Sequence, residues 1–264
     1  MTAVRVLSFN IQRGRSATGQ NTTEAELAAA FDGLESDVVA LQEVDRGQPR
    51  SGGIDQARVV AEALGLPHVR FAATLEGDVR RAKTSPARWG GHPGPAYGLA
   101  IASRYPITAW FVRPVPRVPF RLPALSGRRL VMRDDEPRGV LAAVLQTPSG
   151  PMSMCSAHLS LLGPVAAVQL PMVLRSMGRL PEPVLVCGDL NLEGWAVRRL
   201  ARRHYSAPVL TFPADSPRRQ IDHVLVRGAR VTAASVAHRL PISDHRALAV
   251  TVEVGAPSRD RVLG

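Results

Sequence analysis

The hydrophobic residues along the chain recur with the periods of strands and helices in turn. Residues 4–12 (VRVLSFNIQ) alternate as a strand does, and residues 37–45 (DVVALQEVD) are apolar on both faces until Glu43, which is typical of a central strand. Further strand-like segments follow at residues 68–75, 97–107, 138–147, 151–160, 184–192, 221–228, 230–238 and 246–254.

Three other segments have helical spacing. Residues 23–36 begin with the capping box TEAE, and residues 57–65 end on Gly65, a residue type that commonly follows a helix. Residues 163–180 also predict a helix, although Pro171 inside it should kink or restart it. The apolar face predicted for this third helix consists of Val165, Val168, Met172 and Leu174.

No long linker, repeat or low-complexity tract interrupts this alternation, so the 264 residues predict a single domain spanning residues 1–264. Two stretches, residues 78–96 and 113–136, are rich in Arg, Pro and Gly and lack any period. We predict that they are mobile loops, where a rigid scaffold commonly carries its specificity.

Polar residues that can do chemistry recur where the apolar strands begin or end. The segment VLVCGDLNL is an example, because alternation in an extended chain would put Asp189 and Asn191 on one face. An Asx turn that closes the strand is the alternative interpretation. The same event occurs at Asn10, Glu43, His158, Asp222 and the pair Asp244 and His245. Each residue alone could be a turn, a cap or a buried histidine, but together they indicate a site.

Composition indicates an ordinary globular protein, with 45% hydrophobic and 21% charged residues. No apolar run approaches the ~18 residues of a membrane span, and the first residues have no leader pattern, so we predict a cytoplasmic protein. Cys155 and Cys187 lie in apolar runs and have no metal-ligand spacing, which favours buried thiols.

The formal net charge of +11 suggests an anionic partner such as nucleic acid, a phosphorylated small molecule or an anionic lipid surface. Of the 33 basic residues all but Lys83 are arginine, a skew that is also typical of codon bias. Aromatic residues make up only 5%, which leaves few platforms for stacking unpaired bases. Charge therefore indicates phosphate binding without selecting the partner.

The residue types at the strand ends select a chemistry. Oxygen donors without thiolates suit Mg²⁺ or Mn²⁺, and histidines outside such a cluster can transfer protons near neutral pH. The motifs of serine hydrolases (GxSxG), P-loop proteins (GxxxxGK[ST]) and dinucleotide-binding proteins (GxGxxG) are all absent from the sequence. Metal-assisted hydrolysis of a phosphate ester fits this set best.

In this order, the motifs LSFNIQRG, LQEVD, YGLAIASRYPI, SAHLS, CGDLNL, RRQIDHVLV and ISDHRAL resemble the endonuclease/exonuclease/phosphatase superfamily. They extend from about residue 4 to 254, nearly the whole chain. The resemblance implies an α/β fold, a four-layered sandwich of two mixed β-sheets packed face to face with flanking helices. It also implies a Mg²⁺- or Mn²⁺-dependent hydrolase. The sequence leaves the oligomeric state open, and a monomer is the default expectation.

The resemblance further implies roles for the metal-side residues. Glu43 would be the principal metal ligand with Asn10 beside it, and Asp244 would complete a second metal position or bind through water. Arg138, in EPRGVLAAVL, matches a position where relatives often carry arginine. It would either reach the site or pair with an acid.

The resemblance implies catalytic roles for the remaining residues. Asp189 and Asn191 would flank the scissile phosphate, and His158 would donate to a phosphoryl oxygen. His245 would lie opposite the metal, and the Asp222 carboxylate would fix the orientation of its imidazole and tune its charge. Either Asp189 or His245 would be the general base.

Two departures from the family narrow its substrates. The tyrosine-bearing and tryptophan-rich motifs of abasic-site endonucleases have no counterpart, and there is neither a signal peptide nor a disulfide pattern of a secreted enzyme. A nuclease acting on DNA or RNA, a phosphodiesterase acting on a phospholipid head group, and a non-catalytic anion-binding module remain as alternatives.

Overall fold

A computed structural model describes residues 1–16, 18–79, 85–87, 94–119, 122–126, 129–133 and 135–255. Sixteen strands lie in these ranges: β1 (Thr2–Asn10), β2 (Val38–Arg46), β3 (His68–Glu76), β4 (Ser85–Pro86), β5 (Ala96–Ser103), β6 (Ile107–Pro114), β7 (Leu122–Ser126), β8 (Arg129–Arg133), β9 (Gly139–Thr147), β10 (Gly150–His158), β11 (Val184–Asp189), β12 (Tyr205–Ser206), β13 (Asp222–Arg227), β14 (Arg230–Val231), β15 (Val236–His238) and β16 (Ala247–Val254). The α-helices of the same ranges are α1 (Glu24–Ala29), α2 (Gln56–Ala63), α3 (Gly163–Met177) and α4 (Gly194–Leu200).

The strands form two large mixed sheets. The first has eight strands in the order β14-β16-β1-β2-β5-β3-β4, with β15 paired to β16, and the second has six in the order β12-β13-β11-β10-β9-β6. In each sheet the two strands nearest the centre, β1 with β2 and β10 with β11, are parallel, while their neighbours are antiparallel. The mixed sheets predicted from the sequence are therefore confirmed.

Three apolar clusters separate four layers. The largest lies between the sheets, where Val6 and Ile101 of the first sheet meet Met154 and Leu185 of the second. A second cluster joins the outer face of the first sheet to α1 and α2, and a third joins the outer face of the second sheet to α3 and α4. Helix, sheet, sheet and helix thus follow one another, which confirms the predicted four-layered sandwich.

The helices differ in detail from their sequence patterns. The predicted capping box of α1 is present at Thr23 and Glu26, but the helix ends at Ala29, earlier than expected. α3 continues through Pro171, yet the predicted face is wrong at Val168 and Met172, which are exposed. The buried residues of α3 are Ala166, Gln169, Leu170, Val173 and Met177. Because α3 is apolar nearly all round, its periodicity could not select a face.

Several strands had no clear sequence signal. The stretch 113–136, predicted as a loop, contains the paired strands β7 and β8, and residues 230–238, predicted as one strand, are divided between β14 and β15. Short edge strands lack enough residues for a visible alternation. Most of the predicted loop 78–96 lies outside the described residues.

The two sheets are joined by hydrogen bonds behind one end of the sandwich. Ser156 Oγ on β10 donates to the carbonyl oxygen of Leu41 on β2 at 2.7 Å, and Gln42 Nε2 donates back to Ser156 Oγ at 2.9 Å. These bonds hold the carboxyl ends of β1, β2, β10 and β11 beside one another. In the described ranges, no helix has the length and apolar character needed to cross a bilayer.

Candidate active site

Asp189, at the end of β11, is the centre of the polar cluster between the sheets. Its Oδ2 accepts a hydrogen bond from Asn10 Nδ2 at 3.0 Å and lies 3.5 Å from His158 Nε2 and 3.8 Å from His245 Nε2. The side chains of Asn10, His158, Asp189 and His245 are all buried. The structure therefore brings together residues from β1, β10, β11 and the segment before β16, as the strand-end pattern predicts.

Asn191 enters this cluster through a turn. β11 ends at Asp189, and Asn191 has a left-handed φ of 50°, so the prediction that these two side chains share the face of an extended strand is wrong. Asp189 Oδ1 instead accepts the backbone N–H of Asn191 at 3.0 Å, which is the Asx turn. Asn191 Nδ2 donates to the carbonyl oxygen of Leu159 at 3.0 Å and thereby joins the ends of β10 and β11.

Glu43 is turned toward the cluster by a β-bulge. The register between β2 and β5 shifts between Leu41 and Val44, and Glu43 has a left-handed φ of 54°. A bulge adds one residue to a strand and re-aims its side chains. The half-buried Glu43 carboxylate accepts a hydrogen bond from Asn10 Nδ2 at 3.3 Å. Asn10 thus contacts both Glu43 and Asp189.

Asp222 and His245 form a buried carboxylate–imidazole pair. His245 Nδ1 lies 2.9 Å from Asp222 Oδ2 and 3.1 Å from Oδ1, so this nitrogen carries a proton and donates to the carboxylate. Thr211 Oγ1 donates to Asp222 Oδ2 at 2.6 Å, and the ring of Phe212 packs 4.9 Å from the His245 ring. His245 Nε2 is left facing Asp189.

Burial and charge move the pKa values of this group in opposite directions. Burial alone lowers the pKa of His245, but the Asp222 carboxylate outweighs it and raises the pKa to about 10. Burial raises the pKa of Asp189 to about 7, with the nearby Asp222 charge adding to the rise and His245 opposing it. At neutral pH the imidazole is therefore a cation, whereas Asp189 is poised to take up a proton.

His158 differs from His245 because its neighbour is a cation. Arg138 Nη1 lies 2.6 Å from His158 Nδ1 and 2.9 Å from Nε2. Burial, followed by the charges of Arg138 and His245, lowers the pKa of His158 well below 6.5. A guanidinium only donates, so one nitrogen of the neutral imidazole accepts from Arg138 and the other carries the single N–H.

Arg138 combines the two roles that the sequence left open. It reaches the site through His158, and its Nη2 lies 3.4 Å from Glu136, a longer contact that stays partly in solvent. Its buried Nε has no hydrogen-bond partner in the part of the chain that the structure describes. Arg138 is therefore a buried cation beside the cluster with unused donor capacity.

Asp244 lies at the rim of the site. Its side chain is 47% exposed and lies 3.8 Å from His245 Nε2, and it forms no hydrogen bond or ion pair with Asn10 or Glu43 in the described residues. The neighbouring Ser243 has a left-handed φ of 69° and donates through Oγ to the carbonyl oxygen of Asn10 at 2.6 Å. Ser243 therefore ties the chain before β16 to the end of β1.

Two groups of residues could hold a cation. Ligand atoms of Asp189, Asp222 and His245 all lie within 4.8 Å of one another, but the Asp222 oxygens already accept from His245 and Thr211. Among the described residues, the Glu43 carboxylate forms a hydrogen bond only with the Asn10 amide. Asn10 Oδ1 accepts the N–H of Gln12 at 3.1 Å and has a second lone pair left. Carboxylate and amide oxygens without thiolates fit a hard divalent cation at Glu43 and Asn10.

Sequence reasoning missed Thr211, Phe212 and Ser243. Thr211 and Phe212 lie in a segment without strand or helix periodicity, and only the folded chain brings them to Asp222 and His245. Ser243 had a usable signal, because it stands two residues before His245, whose backbone N–H donates to Ser243 Oγ at 3.1 Å. Serine commonly forms such local turns.

Comparisons with known proteins agree with this geometry. The sequence profile of the Endonuclease/Exonuclease/phosphatase family matches residues 7–245. The Escherichia coli (strain K12) protein YbhP is 27% identical over 275 residues, covering 95% of this chain and 96% of that protein. The crystal structure of an endonuclease/exonuclease/phosphatase from Beutenbergia cavernae DSM 12333 has a TM-score of 0.73 at 23% identity and covers 97% of this chain and 73% of that chain. Sphingomyelinase C from Streptomyces griseocarneus has a TM-score of 0.62 at 16% identity and covers 96% of this chain and 100% of that chain.

Proposed function

Because the chain belongs to the endonuclease/exonuclease/phosphatase family, whose members are metal-dependent phosphoesterases and nucleases, we propose that it hydrolyses a phosphoester by attack of water with Mg²⁺ or Mn²⁺ as cofactor. The observation that carries this proposal is the position of Asp189 between the Glu43–Asn10 oxygens and the Asp222–His245 pair. This arrangement has a cation site on one side and a charged imidazole on the other.

Glu43 and Asn10 would hold the cation, with Asp244 at the rim as a further ligand or a water-mediated one. When bound, the cation supplies positive charge that neutralises a phosphoryl oxygen. Asn191 and the single N–H of His158 donate to the other phosphoryl oxygens, where negative charge develops during attack. Arg138 adds positive charge behind His158 and holds its ring.

Proton transfer is assigned to Asp189 and His245. Asp189 orients the attacking water and accepts its proton, because its Oδ2 lies between Asn10, which contacts Glu43, and His245 Nε2. His245 keeps its Nδ1 proton, which is hydrogen-bonded to Asp222, and donates its Nε2–H to the phosphoryl or leaving oxygen. Of the two candidates for the general base, the proposal therefore takes Asp189.

A hydrolysis panel tests the activity. Plasmid DNA, abasic duplex, RNA, sphingomyelin, inositol phosphates and bis-p-nitrophenyl phosphate are incubated with Mg²⁺, Mn²⁺ or EDTA, and the released product is measured. We expect cation-dependent release from at least one phosphodiester and none from the His245→Ala variant. If no substrate is hydrolysed by the wild-type protein, or if EDTA has no effect, the metal-dependent hydrolase is refuted.

A further inference from the structure

The outer face of α3 is apolar and has no partner in the described part of the chain. α3 carries a single charged residue, Arg175, among its 15 residues. Opposite its buried face, Val168 is 63% exposed and Met172 is 43% exposed. The exposed Pro164 lies one helical turn before Val168 on the same face, and the exposed Leu161 stands just before the helix begins. We call these four residues the α3 stripe.

α4 extends the α3 stripe with an aromatic residue and positive charge. The helices α3 and α4 contact each other, and Trp195 of α4 is 67% exposed. Arg198 and Arg199 on α4, and Arg202 just beyond its end, are exposed as well, and no ion pair among the described residues involves them. Neither helix contains an aspartate or glutamate.

A helix that is apolar on all sides is normally buried, so an outer apolar face calls for a covering partner. We propose that the α3 stripe, Trp195 and the neighbouring arginines dock the protein on an anionic lipid bilayer. The α3 stripe enters the boundary between head groups and acyl chains, and Trp195 lies at the head-group level. The arginines bind lipid phosphates, an interaction worth about 1 kcal/mol for each residue near the surface.

Charge favours a bilayer over a second copy of the chain. In a two-fold symmetric dimer the same patch faces itself, so Arg198 and Arg199 would meet their own copies without any acid in either helix to compensate. An anionic membrane provides the opposite charge and an apolar layer on the same surface. In the chain, the docked face follows closely on site residues, because Leu161 comes three residues after His158 and Trp195 four residues after Asn191.

Vesicle sedimentation tests the docking surface without any reaction. Wild-type protein is mixed with vesicles of phosphatidylcholine containing about one third phosphatidylglycerol, and with vesicles of phosphatidylcholine alone. We expect binding to the anionic vesicles that weakens with added salt. The Val168→Asp/Met172→Asp variant should bind at least about tenfold more weakly, because each side chain loses its apolar burial. The Arg198→Gln/Arg199→Gln variant should lose about fivefold per arginine on anionic vesicles only.

Val236→Asp is the matched control, because Val236 is also exposed but lies on β15 of the other sheet. It should bind as the wild type does, and circular dichroism should be the same for all variants. Absence of wild-type binding to anionic vesicles, or equal binding by the Val168→Asp/Met172→Asp variant, overturns the proposal. The proposal is also overturned if light scattering finds a wild-type dimer and finds the Val168→Asp/Met172→Asp variant to be a monomer, because the α3 stripe would then contact a second copy of the chain.

Discussion

Replacing Asp222 by Asn tests whether His245 acts as a cation. The amide can keep these two bonds, because an oxygen in the place of Oδ2 can accept from both His245 Nδ1 and Thr211 Oγ1, as the carboxylate oxygen does at 2.9 and 2.6 Å. What it removes is the negative charge that raises the pKa of His245 from 6.5 to about 10. At about 1.36 kcal/mol per pKa unit, the net shift favours the imidazolium by roughly 5 kcal/mol, which is the balance between burial, which opposes the charge, and the carboxylates of Asp222, Asp189 and Asp244, which favour it.

Without the Asp222 charge, burial is opposed only by the smaller effects of the Asp189 and Asp244 charges, so we expect the pKa of His245 to fall well below that of the wild type. At pH 8 the variant's imidazole is neutral, and kcat should fall by about 10² to 10⁴. At pH 5.5 part of the imidazole is protonated again, so the loss should be smaller. His245→Ala should cost a similar factor at pH 8, and the double variant should be scarcely worse, since residues acting as one unit are non-additive.

The assay is kcat from pH 5.5 to 9 on whichever substrate the hydrolysis panel identifies. Thr211→Val is the matched control, because it removes a hydrogen bond to Asp222 but keeps the carboxylate charge, and its rate should stay closer to the wild type. An Asp222→Asn penalty that is constant with pH, or that shrinks as the pH rises, would refute the reasoning. The second result would make neutral His245 the general base.

The other predictions concern stability, metal binding and thiol reactivity. The difference in the free energy of unfolding between the wild type and Asp222→Asn, measured by denaturant melts, should be largest below pH 6.5 and shrink toward pH 10. The reason is that the raised pKa of folded His245 stabilises the protein only while the imidazole is protonated. Glu43→Gln should weaken Mg²⁺ binding in calorimetry and leave the thermal unfolding of the metal-free protein unchanged; an unaltered titration contradicts the ligand assignment. Gly188→Ala places a Cβ 1.9 Å from the Ala157 carbonyl oxygen at a φ of 148°, so its free energy of unfolding should fall by well over the ~1–3 kcal/mol expected from backbone strain alone. Gly150→Ala is the matched control, because Gly150 has a φ of 119° but open space around its Cβ, and denaturant melts compare the two variants. Cys155, whose pKa burial raises to about 12, should react with a thiol reagent only after unfolding, and rapid labelling of the native protein would be inconsistent with the core.

The strand ends could be predicted from the sequence because buried strands have a strong signal. Apolar runs located β1, β2, β10 and β11, and parallel neighbours in a sheet necessarily end at the same edge. Polar side chains at those ends therefore had to lie near one another. Asn10 and Asp189 belong to different sheets, and the face-to-face packing of the two sheets brings them to 3.0 Å although 179 residues separate them in the chain.

Features that depend on tertiary packing left no such signal. Nothing in the local pattern distinguished the two apolar faces of α3, and the buried face includes Gln169, which bonds Ser160 and Pro116. The Thr211 hydroxyl looks like any loop hydroxyl until Asp222 is placed beside it. Hydrophobic periodicity predicts which face of a helix or strand is buried. The contacts of Gln169 and Thr211 depend instead on which distant segment packs against them.

Backbone strain shows why regular strand geometry alone could not describe the site. The non-glycine residues with left-handed φ in the described ranges are Gln12, Arg13, Glu43, Asn191 and Ser243. Each is a site residue or stands within three residues of one in the chain. Such residues cost about 1–3 kcal/mol and persist only when their surroundings hold them. Asn191 is held by Leu159, and Ser243 by the carbonyl oxygen of Asn10. Glycine at Asn191 or Ser243 would relieve the strain but remove the side chain that fixes the neighbouring strand end, so the strain and the order of the site have the same source.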